Sequence, residues 1–254
     1  MKKYVNLFVF VFMIGACLSQ GRAQTKSAVS YKNPVVDIAM PDPTVIKAAD
    51  GYFYVYATES TRNVPIMKSK DLVEWTYCNT AFTNKTRPRF EPKAGIWAPD
   101  INYINGKYVL YYAMSVWGGE QTCGIGVATA NSPQGPFTDH GKMFRSNEIG
   151  VQNSIDPSLL QYEGRNYLVW GSFRGIYVIE LTADGLSIMS GAKKKRIAGT
   201  AFEAVYIHKH DDYYYMFASI GSCCQGVKST YKVVVGRSKK VWGPYKDKTG
   251  KPML

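Results

Sequence analysis

Four acidic residues stand at matching places in a repeated pattern. Asp42 opens DPTVIKAADGYFYVYAT, Asp100 opens DINYINGKYVLYYAM, Asp156 opens DPSLLQYEGRNYLVWGS, and Glu203 opens EAVYIHKHDDYYYMFAS. Each acid leads a short extended run, a turn and an aromatic, β-rich strand. A single Asp-Pro step is ordinary turn chemistry. Four acids in register are harder to dismiss, because repeats set around an axis would aim all of them at one rim. Gathering carboxylates is costly in mutual repulsion, and two uses would offset that cost. One is cation binding by oxygen ligands. The other is glycoside hydrolysis, where one carboxylate acts as general base and another, with a raised pKa, as general acid. The three histidines, His140, His208 and His210, occupy no repeat-equivalent position, so serine-type and metallo-hydrolase chemistry have little to stand on.

The elements that must carry these acids are strands. A period of roughly fifty residues in an all-β pattern indicates a propeller, whose four-stranded blades surround a channel lined by the first strand of each. Asp50-Gly51 and Asn105-Gly106 are strong hairpin turns between short strands. In the first repeat Tyr52, Tyr54 and Tyr56 alternate with Phe53, Val55 and Ala57, so both faces are apolar, as a strand packed between neighbouring blades requires. No helical periodicity competes. The expected architecture is therefore all-β, with about four blades near residues 42–95, 96–150, 151–200 and 201–254.

Composition is that of one globular domain, 46% hydrophobic and 20% charged over 254 residues. Residues 1–23 differ: Lys2 and Lys3 precede an apolar run from Val5 to Ala16, and Gly21-Arg22-Ala23 offers a small-residue cleavage site. This is the layout of a signal peptide, with a core too short to span a bilayer. It implies export to the periplasm or medium, leaving 24–254 as the mature propeller. Ile14-Gly15-Ala16-Cys17 also resembles a lipobox, so an outer-membrane lipoprotein anchored through Cys17 is the alternative. The net charge of +12 would suit acidic partners. Export argues against nucleic acid, and the basic residues are dispersed apart from Lys193–Arg196. Cys78, Cys123, Cys223 and Cys224 show no disulfide framework, and bonding adjacent Cys223 to Cys224 would strain the backbone. With no CxxC and no histidine cluster, zinc is not indicated. Buried or idle thiols are the simplest account of them.

The motifs PDPTVIK, IWAPDI with YVLYY, NSIDPSLL and FEAVYIHK resemble the successive motifs of glycoside hydrolase family 43. PIMKSKDLVEW, GSFRGIYVIEL and SCCQGVKSTYKVVVGRSKKVWGPY resemble its endo-1,5-α-L-arabinanase branch, and the likeness runs from about Asn33 to Leu254. The resemblance implies a five-bladed propeller that inverts configuration at the anomeric carbon. It implies Asp42 as general base, Glu203 as general acid, and Asp156 as the acid that holds and tunes Glu203. Trp97 falls where the family presents an aromatic ring to a sugar, with Trp117 and Phe173 as further candidates. Asn153, Ser154 and Ser172 are candidates for hydrogen bonds to substrate hydroxyls, with strand capping as the alternative role. Asp100 receives no chemical step.

The implied substrate is pectic arabinan or its oligosaccharides. An exo-acting arabinofuranosidase or β-xylosidase on the same scaffold is the nearest rival, and an inactive carbohydrate-binding propeller is the rival from another class. No cofactor is required, although the family carries a structural ion in the channel, calcium being the foremost candidate. The histidine that helps hold it belongs to a Gly-Pro-Gly-His-Asn segment in a fifth blade, and this sequence has neither. The expectation is a four-bladed, truncated chain with apolar blade faces open to water between the fourth blade and the first.

Overall fold

The structure is a computed structural model, and it describes residues 30–254. The expected leader at 1–23, the cleavage site and Cys17 lie outside the described residues. Among the described residues, fifteen strands form four antiparallel sheets arranged as blades of a β-propeller. The first blade holds β1 (Thr44–Lys47), β2 (Phe53–Tyr56), β3 (Pro65–Ser69) and β4 (Thr76–Thr80). The second holds β5 (Gly95–Ile104), β6 (Lys107–Ser115), β7 (Gly124–Ala130) and β8 (Thr138–Arg145). The third holds β9 (Ser158–Tyr162), β10 (Arg165–Trp170), β11 (Ile176–Glu180) and β12 (Lys195–Ala198). A one-turn helix, α1 (Ser146–Ile149), links the second blade to the third.

The fourth blade has three strands, β13 (Glu203–His210), β14 (Tyr213–Ile220) and β15 (Lys232–Ser238). Its outer edge is reduced to isolated bridges, Lys246 pairing both Arg237 and Pro252. Proline has no N–H for a ladder, so Pro244 and Pro252 prevent a regular fourth strand. Between them Asp247 closes a tight turn, its Oδ1 accepting from the Thr249 and Lys251 amides at 2.8 and 3.0 Å. Tyr245 and Met253, both buried, anchor this segment against the third and fourth blades.

Apolar faces between adjacent blades hold the ring together. Tyr54, Tyr56 and Ile66 of the first blade pack on Ile101, Leu110 and Tyr112 of the second. Val127 and Phe144 of the second meet Leu168 and Trp170 of the third. Val169 and Val178 of the third meet Val205, Met216 and Ala218 of the fourth. The other face of the fourth blade is different. Tyr206 pairs with Phe217 and Phe217 with Val235, which puts Tyr206, Phe217, Val233 and Val235 on one face. All four are exposed. Val45 on β1 and Tyr77 on β4 are exposed as well. Among the described residues no blade covers these faces.

Candidate active site

One cavity of about 1090 Å³ collects residues from all four blades. Asp42, Asp156 and Glu203 line it together with Trp97, Asp100, Trp117, Asn153, Ser172 and Phe173. Of the residues expected to do chemistry or to touch sugar, Ser154 alone is not in this lining: it is buried, its hydroxyl donating to the Val151 carbonyl and accepting from Trp170 Nε1.

The backbone that aims these side chains is unusual. Asp42, Ala98, Asn153, Asp156, Phe173 and Ala204 all adopt left-handed φ, between 39° and 58°. Such conformations are costly for residues with a Cβ, about 1–3 kcal/mol each, and they gather where the surrounding structure enforces them. Register shifts fall at the same points, between Trp97 and Asp100 on β5 and between Glu203 and Tyr206 on β13. A bulge bends a strand and re-aims its side chain. Here the bulges turn the starts of β5 and β13 toward the cavity.

Each acid has a distinct environment. Asp42 is exposed, and its Oδ2 accepts from Thr58 Oγ1 at 2.6 Å. Thr58 Oγ1 in turn accepts the Ala98 amide at 2.6 Å, which ties Asp42 to the second blade. Glu203 is buried, and its Oε2 accepts from Ser172 Oγ at 2.6 Å. Ser172 also bridges Glu203 through the backbone, and Asn153 Nδ2 donates to Ser172 Oγ at 2.8 Å and to its carbonyl at 3.2 Å. Asn153 and Ser172 therefore form a relay whose end is the Glu203 carboxylate. The Asn153 amide donates to the Glu120 carbonyl, and the Glu120 carboxylate pairs with Arg174 at 2.9 Å.

Asp156 is half-buried. Burial, then the negative charges of Glu203 and Asp42, push its carboxyl well above the usual range, against a stabilising hydrogen bond from the Ala204 amide. Asp156 therefore keeps its proton at pH values where an isolated carboxyl would lose it.

The aromatic residues divide. Trp97 packs on Ala113, Cys123 and Ile155, its ring lying over Gly95, where a Cβ would stand 2.4 Å from the indole nitrogen. Trp117 is 78% exposed and tilts against Trp97, with ring centroids 5.5 Å apart. Together they form an aromatic wall. Phe173 is half-buried, its amide donating to the Phe202 carbonyl.

Several contributors were not singled out from sequence. Thr58 holds Asp42, yet a threonine at a strand end carries no distinctive signal. Glu59 accepts from Arg87 in a buried ion pair and from the Asn63 and Ile96 amides at 2.9 Å, fixing the start of β5 beneath Trp97. Asp100 is a clasp. Its Oδ2 accepts from the Leu159 amide and from Asn102 Nδ2, both at 2.7 Å, and its Oδ1 accepts from Thr44 Oγ1 at 3.4 Å. One carboxyl thus joins the first three blades. Burial, only partly opposed by these bonds, raises it to about 6.

Cys223 and Cys224 are neither fully buried nor remote; both line the cavity, Cys224 exposed and Cys223 half-buried. This pair is thus not buried, because the β14–β15 loop turns it toward the cavity. Cys123 is buried and Cys78 half-buried. Among the described residues, no three carboxylate, imidazole or thiol side chains converge as ligands for a metal ion. His208 and His210 are exposed on β13 and His140 bonds Thr129, so the residues present do not fit a channel ion held by protein ligands. No described helix is long and apolar enough to cross a membrane.

Residues 31–254 match the family described as glycosyl hydrolases family 43. An extracellular endo-α-(1→5)-L-arabinanase of Bacillus subtilis is 39% identical over 226 residues, covering 84% of this chain and 69% of the relative. An extracellular exo-α-(1→5)-L-arabinofuranosidase of Cellvibrio japonicus is 36% identical, covering 84% and 67%. Among solved structures, an α-L-arabinanase of Cellvibrio cellulosa superimposes with a TM-score of 0.76 at 33% identity, over 85% of this chain and 76% of that one. The same protein has been solved with arabinohexaose. Sequence match, blade architecture and the carboxylate-lined cavity agree: the chain belongs to glycosyl hydrolases family 43.

Proposed function

We propose that the protein hydrolyses α-1,5-linked L-arabinan internally, with inversion at the anomeric carbon. The observation that carries the reading is the joining of Asp42, Asp156 and Glu203 in one cavity beside the Trp97–Trp117 wall. Inversion needs a base and an acid on opposite sides of the scissile bond, with room for a water between base and sugar. Asp42 suits the base. It is exposed, one oxygen is committed to Thr58, and the other is free of side-chain partners. It takes a proton from the water attacking the anomeric carbon. Glu203 suits the acid: Ser172 fixes its Oε2, leaving Oε1 to deliver a proton to the leaving oxygen. Asp156, held protonated by burial and by the charges of Glu203 and Asp42, stands beside the acid without adding a further charge to the cavity. The aromatic wall supplies an apolar face for a furanose ring. Each proton transfer in this reading is assigned to the chain's own carboxyls.

The endo-acting relative of Bacillus subtilis and the arabinohexaose complex of the Cellvibrio cellulosa protein support an extended polysaccharide as substrate. The exo-acting relative makes single-sugar release the second reading. Export by residues 1–23 belongs to the same proposal, in keeping with relatives described as extracellular.

The test is hydrolysis of linear α-1,5-arabinan by the wild-type chain and by Glu203→Gln. The expected result is a mixture of arabino-oligosaccharides, with kcat reduced about 10²–10⁴-fold in the variant, the range for losing a general acid. Arabinose as sole product would move the reading to exo action. Equal rates in the two proteins would remove Glu203 from its role.

A further inference from the structure

Two adjacent thiols stand in the cavity wall without a task in this chemistry. Gly221 leaves β14 with φ of +91°, where a Cβ would meet the Thr230 carbonyl at 2.6 Å. The loop it starts is closed by its own hydrogen bonds. The Thr230 amide donates to the Ser222 carbonyl and the Ser222 amide to Thr230 Oγ1, both at 3.1 Å. The Gln225 amide donates to Ser229 Oγ and Gln225 Nε2 to Ser222 Oγ, both at 3.0 Å. This fastened loop presents Cys223 and Cys224 to the cavity beside Glu203, Ser219 and Tyr231. Cys224 adopts a left-handed φ of 64°, so the chain turns between the two side chains. Burial, the neighbouring Cys224 thiol and the Glu203 charge push Cys223 up to about 12.

We propose that Cys223 and Cys224 are an oxidisable pair that closes to a vicinal disulfide by exchange with a small disulfide, and that closure tightens the cavity's hold on its sugar. The exchange balances without another reagent. Exposed Cys224 attacks the donor disulfide and displaces one thiol, and adjacent Cys223, once it gives up its proton, displaces the second; its raised pKa makes this the slow step. One S–S bond breaks and one forms, and the two cysteine protons leave on the donor's thiols. Adjacent Cα atoms lie about 3.8 Å apart across a trans peptide. Relaxed disulfides have Cα separations of 4.4–6.8 Å, so the ring is strained and readily reduced. Reversibility is therefore built in. The other described cysteines do not compete: Cys123 is buried against Ser146 Oγ at 3.2 Å, and Cys78 lies on β4 in another blade.

Closure would freeze two side chains of the wall before ligand arrives, and pre-ordering lowers the entropy cost of binding. The sugar readout rests on the arabinan reading; the covalent readout does not. The full chain is incubated with oxidised glutathione or with dithiothreitol, alkylated and digested with trypsin. The peptide His210–Lys228 holds no other cysteine. Oxidation is expected to yield this peptide unalkylated and two hydrogens lighter. Affinity for linear arabino-oligosaccharide, read by calorimetry, is expected to rise roughly two- to tenfold on oxidation, the gain from fixing one or two side chains. Cys224→Ser should abolish the redox dependence. Two alkylated thiols, or a retained glutathione adduct, would overturn ring closure. A closed ring with equal affinity in both states would overturn the coupling. A closed ring with no binding in either state would overturn the coupling and count against the arabinan reading as well.

Discussion

Asp100 offers a sharp test of how the blades are joined, through the variant Asp100→Asn. In the folded protein the carboxyl titrates near 6, against an ordinary 3.8, because burial disfavours its charge more than Leu159, Asn102 and Thr44 favour it. Each pK difference of one corresponds to about 1.4 kcal/mol, so ionised Asp100 costs the fold about 3 kcal/mol at most. Partial exposure to the cavity screens that figure to about 1–3 kcal/mol. The folded pKa is raised, so the stabilising contribution is fully present below pH 3.8 and is lost as pH rises through 6. Asparagine has the same shape and no charge. Its carbonyl can accept from Leu159 and Asn102, and its amide can donate to Thr44 Oγ1. The variant should therefore match wild type near pH 4 and gain on it through pH 5–7. The assay is thermal unfolding across pH 4–8. At about 2–4 °C per kcal/mol for a domain this size, the variant should melt a few degrees higher at pH 7.5. A melting difference independent of pH, or a deficit that grows toward pH 7.5, would refute the account of Asp100 as a buried, reluctantly ionised clasp.

Other perturbations have equally definite outcomes. Burial alone would raise Glu59, yet hydrogen bonds from Arg87, Asn63 and Ile96 hold it below the usual carboxylate range. Arg87→Ala would leave that charge uncompensated and should cost about 3–5 kcal/mol, seen as a lower denaturant midpoint. Ser172→Ala removes the donor to buried Glu203 and should lower kcat about 10–100-fold with little change in KM, the worth of a hydrogen bond to a charged group. Ser172→Thr, which keeps the hydroxyl, should recover part of the rate. Asp156→Asn replaces a carboxyl whose ionisation is disfavoured by burial and by the charges of Glu203 and Asp42, so the variant should gain in melting temperature over wild type as pH rises above the usual carboxylate range. A melting difference that stays constant from pH 4 to pH 8 would contradict the raised carboxyl.

The sequence by itself determined the repeat, the strand alternation and the register of the acids. These are local properties: period-two alternation makes strands, Asp-Gly and Asn-Gly make turns, and recurring acids occupy equivalent places wherever the blades end up. The fold class, and the meeting of Asp42, Asp156 and Glu203, follow from that repetition. The outer edge of the fourth blade was not legible, because Pro244 and Pro252 act only once the chain has reached an edge. Nor was the task of Asp100, which shares its repeat position with the other three acids. Tertiary structure decided it by bringing the Leu159 amide and Thr44 hydroxyl, 59 and 56 residues away, to the same carboxyl. Likewise residue type offers Asn153 and Ser172 for sugar contact or strand capping, while packing strings them into a relay ending at Glu203. Adjacent Cys223 and Cys224 looked idle until the loop closed by Ser222 and Thr230 turned them into the cavity. Residue type and spacing state which groups could act, whereas burial and long-range hydrogen bonds decide their charge and partners, and those come only from the assembled ring.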